Sequence, residues 1–130
     1  PVACAVGLRN LEIIEREGMI EQVRDETGAY LLNSLQDALS EHPLVGEIRG
    51  RGFLIAIEIV KDKKTKARHE PSGAGASAVR DHAIANNIMM RAVGDTMIMS
   101  PPLIWTREHI DLAVKRVKTA LDEALGSLSK

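Results

Sequence analysis

The sequence predicts a two-layer α/β (α+β) domain: a small antiparallel or mixed sheet with helices packed on one side. Three observations predict it. Long segments near both ends carry apolar residues at helical spacing, Phe53 to Val60 alternates with period two, and Gly94-Asp95 sits as a glycine-first loop between two short apolar runs. Stripes on helices and faces on strands are buried most simply by laying the helices against the sheet. At 130 residues the chain fits one domain. Such a domain buries roughly two-thirds of its unfolded surface.

Taken in order, residues 2–17 read as a helix opened by proline at its first position, with Leu8, Leu11 and Ile14 in helical register and Gly18 as its stop. Val2 to Val6 is apolar almost all round the wheel, which predicts that this helix packs on material outside the segment. Residues 19–41 read as a second helix striped by Ile20, Val23, Thr27, Tyr30, Leu31, Leu35, Ala38 and Leu39 and ended by Pro43. Gly28 interrupts it at a cost of up to about 1 kcal/mol against alanine. In "VGEIRGRGFLIAIEIV", Phe53, Ile55, Ile57 and Ile59 alternate with Leu54, Ala56, Glu58 and Val60 as one strand, and Gly50 and Gly52 allow a bend before it. A polar, basic loop follows, then a short helix over 76–86.

Gly94-Asp95 then predicts a type II′ hairpin that sets Val93 opposite Thr96, Ala92 opposite Met97, Arg91 opposite Ile98 and Met90 opposite Met99. Pro101-Pro102 ends its second strand. Thr106 is a good N-cap for a last helix striped by Ile110, Val114, Val117, Leu121 and Leu125 and ending near Gly126. The resulting order is αα-β-α-ββ-α, with the lone strand and the hairpin in one sheet.

Composition narrows the function. Aromatics are only 2%, which removes the stacking platforms of single-strand nucleic-acid binders, and a net charge of −1 gives no field toward nucleic acid or anionic membranes. No apolar run reaches the roughly 18 residues a membrane span needs. The opening residues do not read as a signal peptide, and a single cysteine suits a reducing cytoplasm. Cys4 in its apolar helix reads as a small buried hydrophobe. Four scattered histidines have no metal-ligand spacing. The run Lys61–Arg68 reads as a solvated loop. Ser72-Gly73-Ala74-Gly75 reads as a flexible linker, with a phosphate seat as the alternative. Met89, Met90, Met97 and Met99 read as core filling, with a substrate tunnel as the alternative, and Trp105 as packing against another domain.

Arg91 stands out. A permanent charge among methionines and isoleucines either snorkels to water, pairs with Asp95 or Glu58, or waits for an anion such as a carboxylate. From the pattern alone these alternatives stay open.

Three blocks, "PVACAVGLRNLEIIEREG", "VGEIRGRGFLIAIEIVKDK" and "IMMRAVGDTMIMSPPLIWTREHID", in that order and spacing, resemble the C-terminal part of class III aminotransferases, pyridoxal-5′-phosphate enzymes of fold type I. The resemblance covers essentially the whole chain and is nearest to ω-amino acid:pyruvate and amine:pyruvate transaminases. It implies a homodimeric full-length enzyme that moves an amino group from an amine or ω-amino acid to a 2-oxo acid such as pyruvate. It also implies that residues 1–130 are one small C-terminal domain whose first helix packs on a large domain. Arg91 matches the family's mobile "R-A-x-G-D" arginine, which salt-bridges a substrate carboxylate. The Schiff-base lysine lies upstream of the matched region. None of Lys61, Lys63, Lys64, Lys66, Lys115, Lys118 or Lys130 stands in the family's lysine motif, so the segment alone is expected to be inactive and to bind no cofactor. Competing readings are a stand-alone binding module with Arg91 holding a small carboxylate, and an interaction domain using residues 2–14.

Overall fold

Two turns that begin with glycine build the sheet. In the computed structural model, which describes residues 1–129, Gly52-Phe53 joins β1 (Val45–Arg51) to β2 (Leu54–Ile59), and Gly94-Asp95 joins β3 (Arg91–Val93) to β4 (Thr96–Met99). Arg51 faces Leu54 across the first turn and Val93 faces Thr96 across the second. Gly52 (φ 57°) and Gly94 (φ 55°) have positive φ, whereas Phe53 and Asp95 do not. A glycine-first hairpin needs that combination, and only glycine enters this region at no steric cost. Antiparallel pairing of β2 with β4 fuses the hairpins into one sheet of order β1-β2-β4-β3.

The second hairpin has the expected register: Arg91 faces Ile98, Ala92 faces Met97 and Val93 faces Thr96. Its ladder ends at Arg91, so Met90 lies outside it. The expected lone strand is a correction: residues 45–59 form a complete hairpin. β1 buries only Val45 at its start and Ile48 between two glycines, with Glu47, Arg49 and Arg51 outward and an irregular register between Val45 and Glu47, so its apolar signal is weak. Gly50 is no bend. It pairs with Ile55 inside the strand, where a Cβ would come within 2.4 Å of the Leu54 carbonyl oxygen.

Helix α1 (Val2–Arg16) closes at Gly18, whose φ of 60° supplies the left-handed stop. The expected second helix is continuous but not uniform. α2 (Met19–Gln22) passes through a π-helical turn (Val23–Thr27) into α3 (Gly28–Leu39). Val23, Thr27, Leu31, Leu35 and Leu39 are buried as the stripe requires, but Ile20 is 51% exposed. The extra residue of the π turn shifts the helical phase, so Ile20 falls out of line with the face that follows. α4 (Ala74–Ala85) and α5 (Arg107–Leu128) complete the helical layer. At the start of α5 the Thr106 N–H donates to His109 Nδ1 at 3.2 Å, satisfying a group the helix leaves unpaired.

The core lies between the sheet's inner face and these helices. Ile55, Ile57, Ile59 and Met97 meet Leu31 and Leu35 of α3, Val79 of α4 and Leu121 of α5, all essentially inaccessible to water. Burying each such side chain contributes about 1.5–3 kcal/mol. The helices cover one face only, as predicted, and leave Leu54 and Arg91 on an open outer face. Among the described residues no helix is long and apolar enough to cross a membrane.

Just past α3, a buried histidine faces α5. His42 accepts the Leu44 N–H at Nδ1 (3.2 Å), while its Nε2 lies 3.3 Å from Asp122 without hydrogen-bond geometry. Burial depresses the imidazole pKa and outweighs the attraction of Asp122, with Lys118 and Lys63 pushing the same way. The unfolded chain therefore binds the proton more tightly than the folded one. Stability from this site is present above the ordinary histidine value near 6.5 and is lost as pH falls below it. Thermal midpoints between pH 7.5 and 5 should show this loss, and His42→Gln should reduce it. An unchanged pH profile in the variant would exclude His42 as its source.

Candidate functional site

The site is built on the sheet's outer face. Successive pairings place Arg49 of β1, Ala56 of β2, Ile98 of β4 and Arg91 of β3 on one rung across all four strands. Asn87, with φ 57°, turns the chain out of α4 and delivers it to β3, the sheet edge. Alternation then sends Ala92 inward and Arg91 outward beside Val93. Met90, Met97 and Met99 point into the core, so the guanidinium is not enclosed by methionines as the sequence suggested. Only Met89, 88% exposed, remains beside it on the open side. The inward side of the hairpin is the greasy one.

Arg91 has no ion pair or side-chain hydrogen bond among the described residues. Of the two internal partners considered, Asp95 is held elsewhere and Glu58 lies on the rung of Thr96 and Val93. Arg49, by contrast, is paired with Glu47 at 2.9 Å. The result is an exposed guanidinium with all its donors free for an external anion.

Asp95 is buried at 6% exposure. Its Oδ1 accepts the Gly73 N–H at 2.8 Å, its Oδ2 accepts from Ser72 Oγ at 3.4 Å, and Arg68 lies 3.6 Å away. The Asp95 carbonyl also accepts the Ile59 N–H at 2.8 Å. Ser72-Gly73-Ala74-Gly75 is therefore neither a linker nor a phosphate seat. Its helix N-terminus already holds an anion, the Asp95 carboxylate. The sequence reading missed this contact. A hairpin-turn aspartate and a Ser-Gly stretch before a helix are each ordinary alone, and Gly73 and Asp95 lie 22 positions apart in the chain.

Beneath the hairpin, Met89, Met99, Pro101, Trp105, Leu112 and Arg116 line a cleft of about 400 Å³. Trp105 stacks on His109 with ring centroids 6.3 Å apart, and Arg116 donates to the Asn87 carbonyl at 2.9 Å. The methionines thus divide: Met90 and Met97 fill core, Met89 borders this cleft, and the buried Met99 belongs to the core and to the cleft wall.

The residues present do not by themselves fit pyridoxal phosphate. That cofactor needs a desolvated lysine and a cradle for its phosphate. Lys61, Lys64, Lys66, Lys115 and Lys118 are exposed and Lys63 is half-buried, donating to the Ser40 carbonyl. Lys130 lies outside the described residues. Cys4 is exposed along with all of α1 up to Glu12, correcting the expectation of a buried thiol. Nothing among the described residues covers that helix. His82 lies 3.2 Å from Glu123 and His69 lies 3.3 Å from the Val60 carbonyl. Among the described residues no three His, Cys, Asp or Glu side chains come together as metal ligands would.

Comparison with known proteins supplies the context. Residues 1–121 match the family model "Aminotransferase class-III". The chain is 44% identical over 128 residues to a putrescine–pyruvate aminotransferase of Pseudomonas aeruginosa, covering 98% of this chain and 28% of that protein. It is 36% identical over 131 residues to a diaminobutyrate–2-oxoglutarate transaminase of Halomonas elongata, covering 99% and 28%. The fold superposes with a TM-score of 0.93 on a thermostable omega transaminase variant from Pseudomonas jessenii, at 37% identity, over 100% of this chain and 28% of that one. The chain thus spans little more than a quarter of the length of the proteins it matches.

Proposed function

Because the chain belongs to the class III aminotransferase family, we propose that it is the carboxylate-recognising C-terminal part of a pyridoxal-phosphate enzyme. That enzyme transfers an amino group from an amine or ω-amino acid to a 2-oxo acid such as pyruvate. The observation that carries this reading is Arg91, an outward guanidinium at the sheet edge without an internal anion. Two of the relatives are named for different acceptors, pyruvate and 2-oxoglutarate. Both carry a carboxylate beside a carbonyl, and a guanidinium grips that group with two parallel N–H donors.

In this reading Arg91 binds and orients the carboxylate. On an exposed edge strand, with the long side chain anchored only at its base, the guanidinium can also turn to water when a substrate lacks an anion. The cofactor is the family's, the groups that hold it come from the rest of the full-length protein, and in this reading two copies of that protein form a homodimer. The whole segment 1–130 acts as one small domain. Its α1, with Val2 78% and Val6 63% exposed, packs on that remainder. The same exposure speaks against a stand-alone binding module, because a lone soluble domain rarely leaves one apolar helix side uncovered.

The full-length protein tests the reading by its visible absorption before and after addition of an amine donor. A cofactor–lysine band that shifts on adding donor is expected. A protein that stays colourless with added pyridoxal phosphate would refute the proposal.

A further inference from the structure

We propose that Asp95 is a positioning residue for Arg91: its buried carboxylate locks the β3–β4 turn onto the N-terminus of α4 and so fixes where the guanidinium begins. This rests on the reading of Arg91 as the carboxylate-binding residue. Arg91 sits on a three-residue edge strand, hydrogen-bonded on one side only, to β4. Such a strand frays readily, because one row of its backbone groups has no partner. Its far end is the Gly94-Asp95 turn, and two different atoms of Asp95 hold that turn. The carbonyl takes the Ile59 N–H of β2, and the side chain takes the Gly73 N–H just before α4.

These contacts come from separate elements, so the turn is held at two points. The left-handed Gly73 (φ 82°) brings its backbone close, since a Cβ there would stand 3.3 Å from the Gly94 carbonyl oxygen. Arg68, 3.6 Å away and 65% exposed, adds positive charge from the basic loop. Three residues separate this anchor from Arg91. A mobile side chain on a fixed base can swing and still return to one place, whereas on a loose base it samples many. The anchor acts through Arg91 and touches no substrate.

The test uses the full-length holoenzyme, with pyruvate and the carboxylate-free acceptor propanal compared for wild type, Arg91→Ala, Asp95→Ala and Asp95→Asn. Asp95→Ala is expected to raise KM for pyruvate about tenfold while leaving KM for propanal and kcat at saturation within about threefold, because misplacing a binding group by an ångström costs binding of the group it serves. Asp95→Asn keeps an oxygen that can accept the Gly73 N–H and should raise the pyruvate KM only about threefold, which keeps the test informative if the alanine variant does not fold. If the folded Asp95 variants keep the wild-type ratio of pyruvate to propanal KM while Arg91→Ala raises it, Asp95 is only a fold-stabilising residue and the inference falls. If Arg91→Ala itself leaves the ratio unchanged, the reading of Arg91 falls first, and this inference with it.

Discussion

Arg91→Ala in the full-length enzyme should lower kcat/KM for pyruvate by roughly 10- to 150-fold, the equivalent of about 1.5–3 kcal/mol for charge-assisted hydrogen bonds to an anion. A carboxylate-free acceptor should lose no more than about threefold. The size of the effect depends on burial. As this chain stands, the guanidinium is open to water, and an exposed ion pair contributes only about 0–1 kcal/mol. The larger value requires that the rest of the enzyme close over the sheet's outer face and exclude water from the pair. The kinetic measurement therefore reports two things, whether Arg91 grips the carboxylate and whether its face is covered. Arg91→Lys sharpens the result. Lysine keeps the charge but loses the planar fork, so it should recover only part of the lost specificity. Equal losses with pyruvate and a carboxylate-free acceptor would remove Arg91 from substrate recognition.

Much of this architecture was legible in the residues, and the failures have physical causes. Where apolar residues repeat at a constant period and stay in phase, as in α5 or in Ile55, Ile57 and Ile59, the sequence names the buried face correctly. The Gly94-Asp95 turn gave the register because two-residue loops leave little freedom. β1 was missed because an edge strand with one inward isoleucine and two glycines has almost no period-two signal. Its turn, Gly52-Phe53, uses the same glycine-first device as the second hairpin but is hidden inside an apolar run. For the site, the turn fixed the partner of Arg91 across the hairpin, whereas the face it takes and its exposure could not be read. Whether a greasy-looking hairpin face is covered depends on which elements pack there, and the helices take only the inner side. The Asp95 anchor joins residues distant in sequence, and neither end has a distinctive pattern.

The second large effect is expected at Gly28, where helix propensity gives the wrong sign. In an unencumbered helix, alanine is more favourable than glycine by about 1 kcal/mol. Here the π turn brings the Val23 carbonyl under Gly28, and the first hairpin turn presses on the same spot. A Cβ would lie 2.5 Å from Val23 O and 2.7 Å from Gly52 Cα. Both obstacles are backbone, so no side chain can rotate away to make room. Overpacking of this kind costs about 1–3 kcal/mol, occasionally more, and with two backbone atoms in the way the upper end applies. Gly28→Ala should therefore destabilise the domain by about 3 kcal/mol, overriding the propensity gain. Gly126→Ala in α5, where nothing lies within 4 Å of the added carbon, provides the control. It should be neutral or stabilising, by up to about 1 kcal/mol. Urea midpoints of the two variants against the parent decide the matter. If Gly28→Ala gains stability as Gly126→Ala does, the hairpin turn is not seated on the π turn in solution. If it loses stability as expected, the glycine that looked like a flaw in a helix is the contact that lets the β1–β2 hairpin dock, and with it the rung that ends in Arg91.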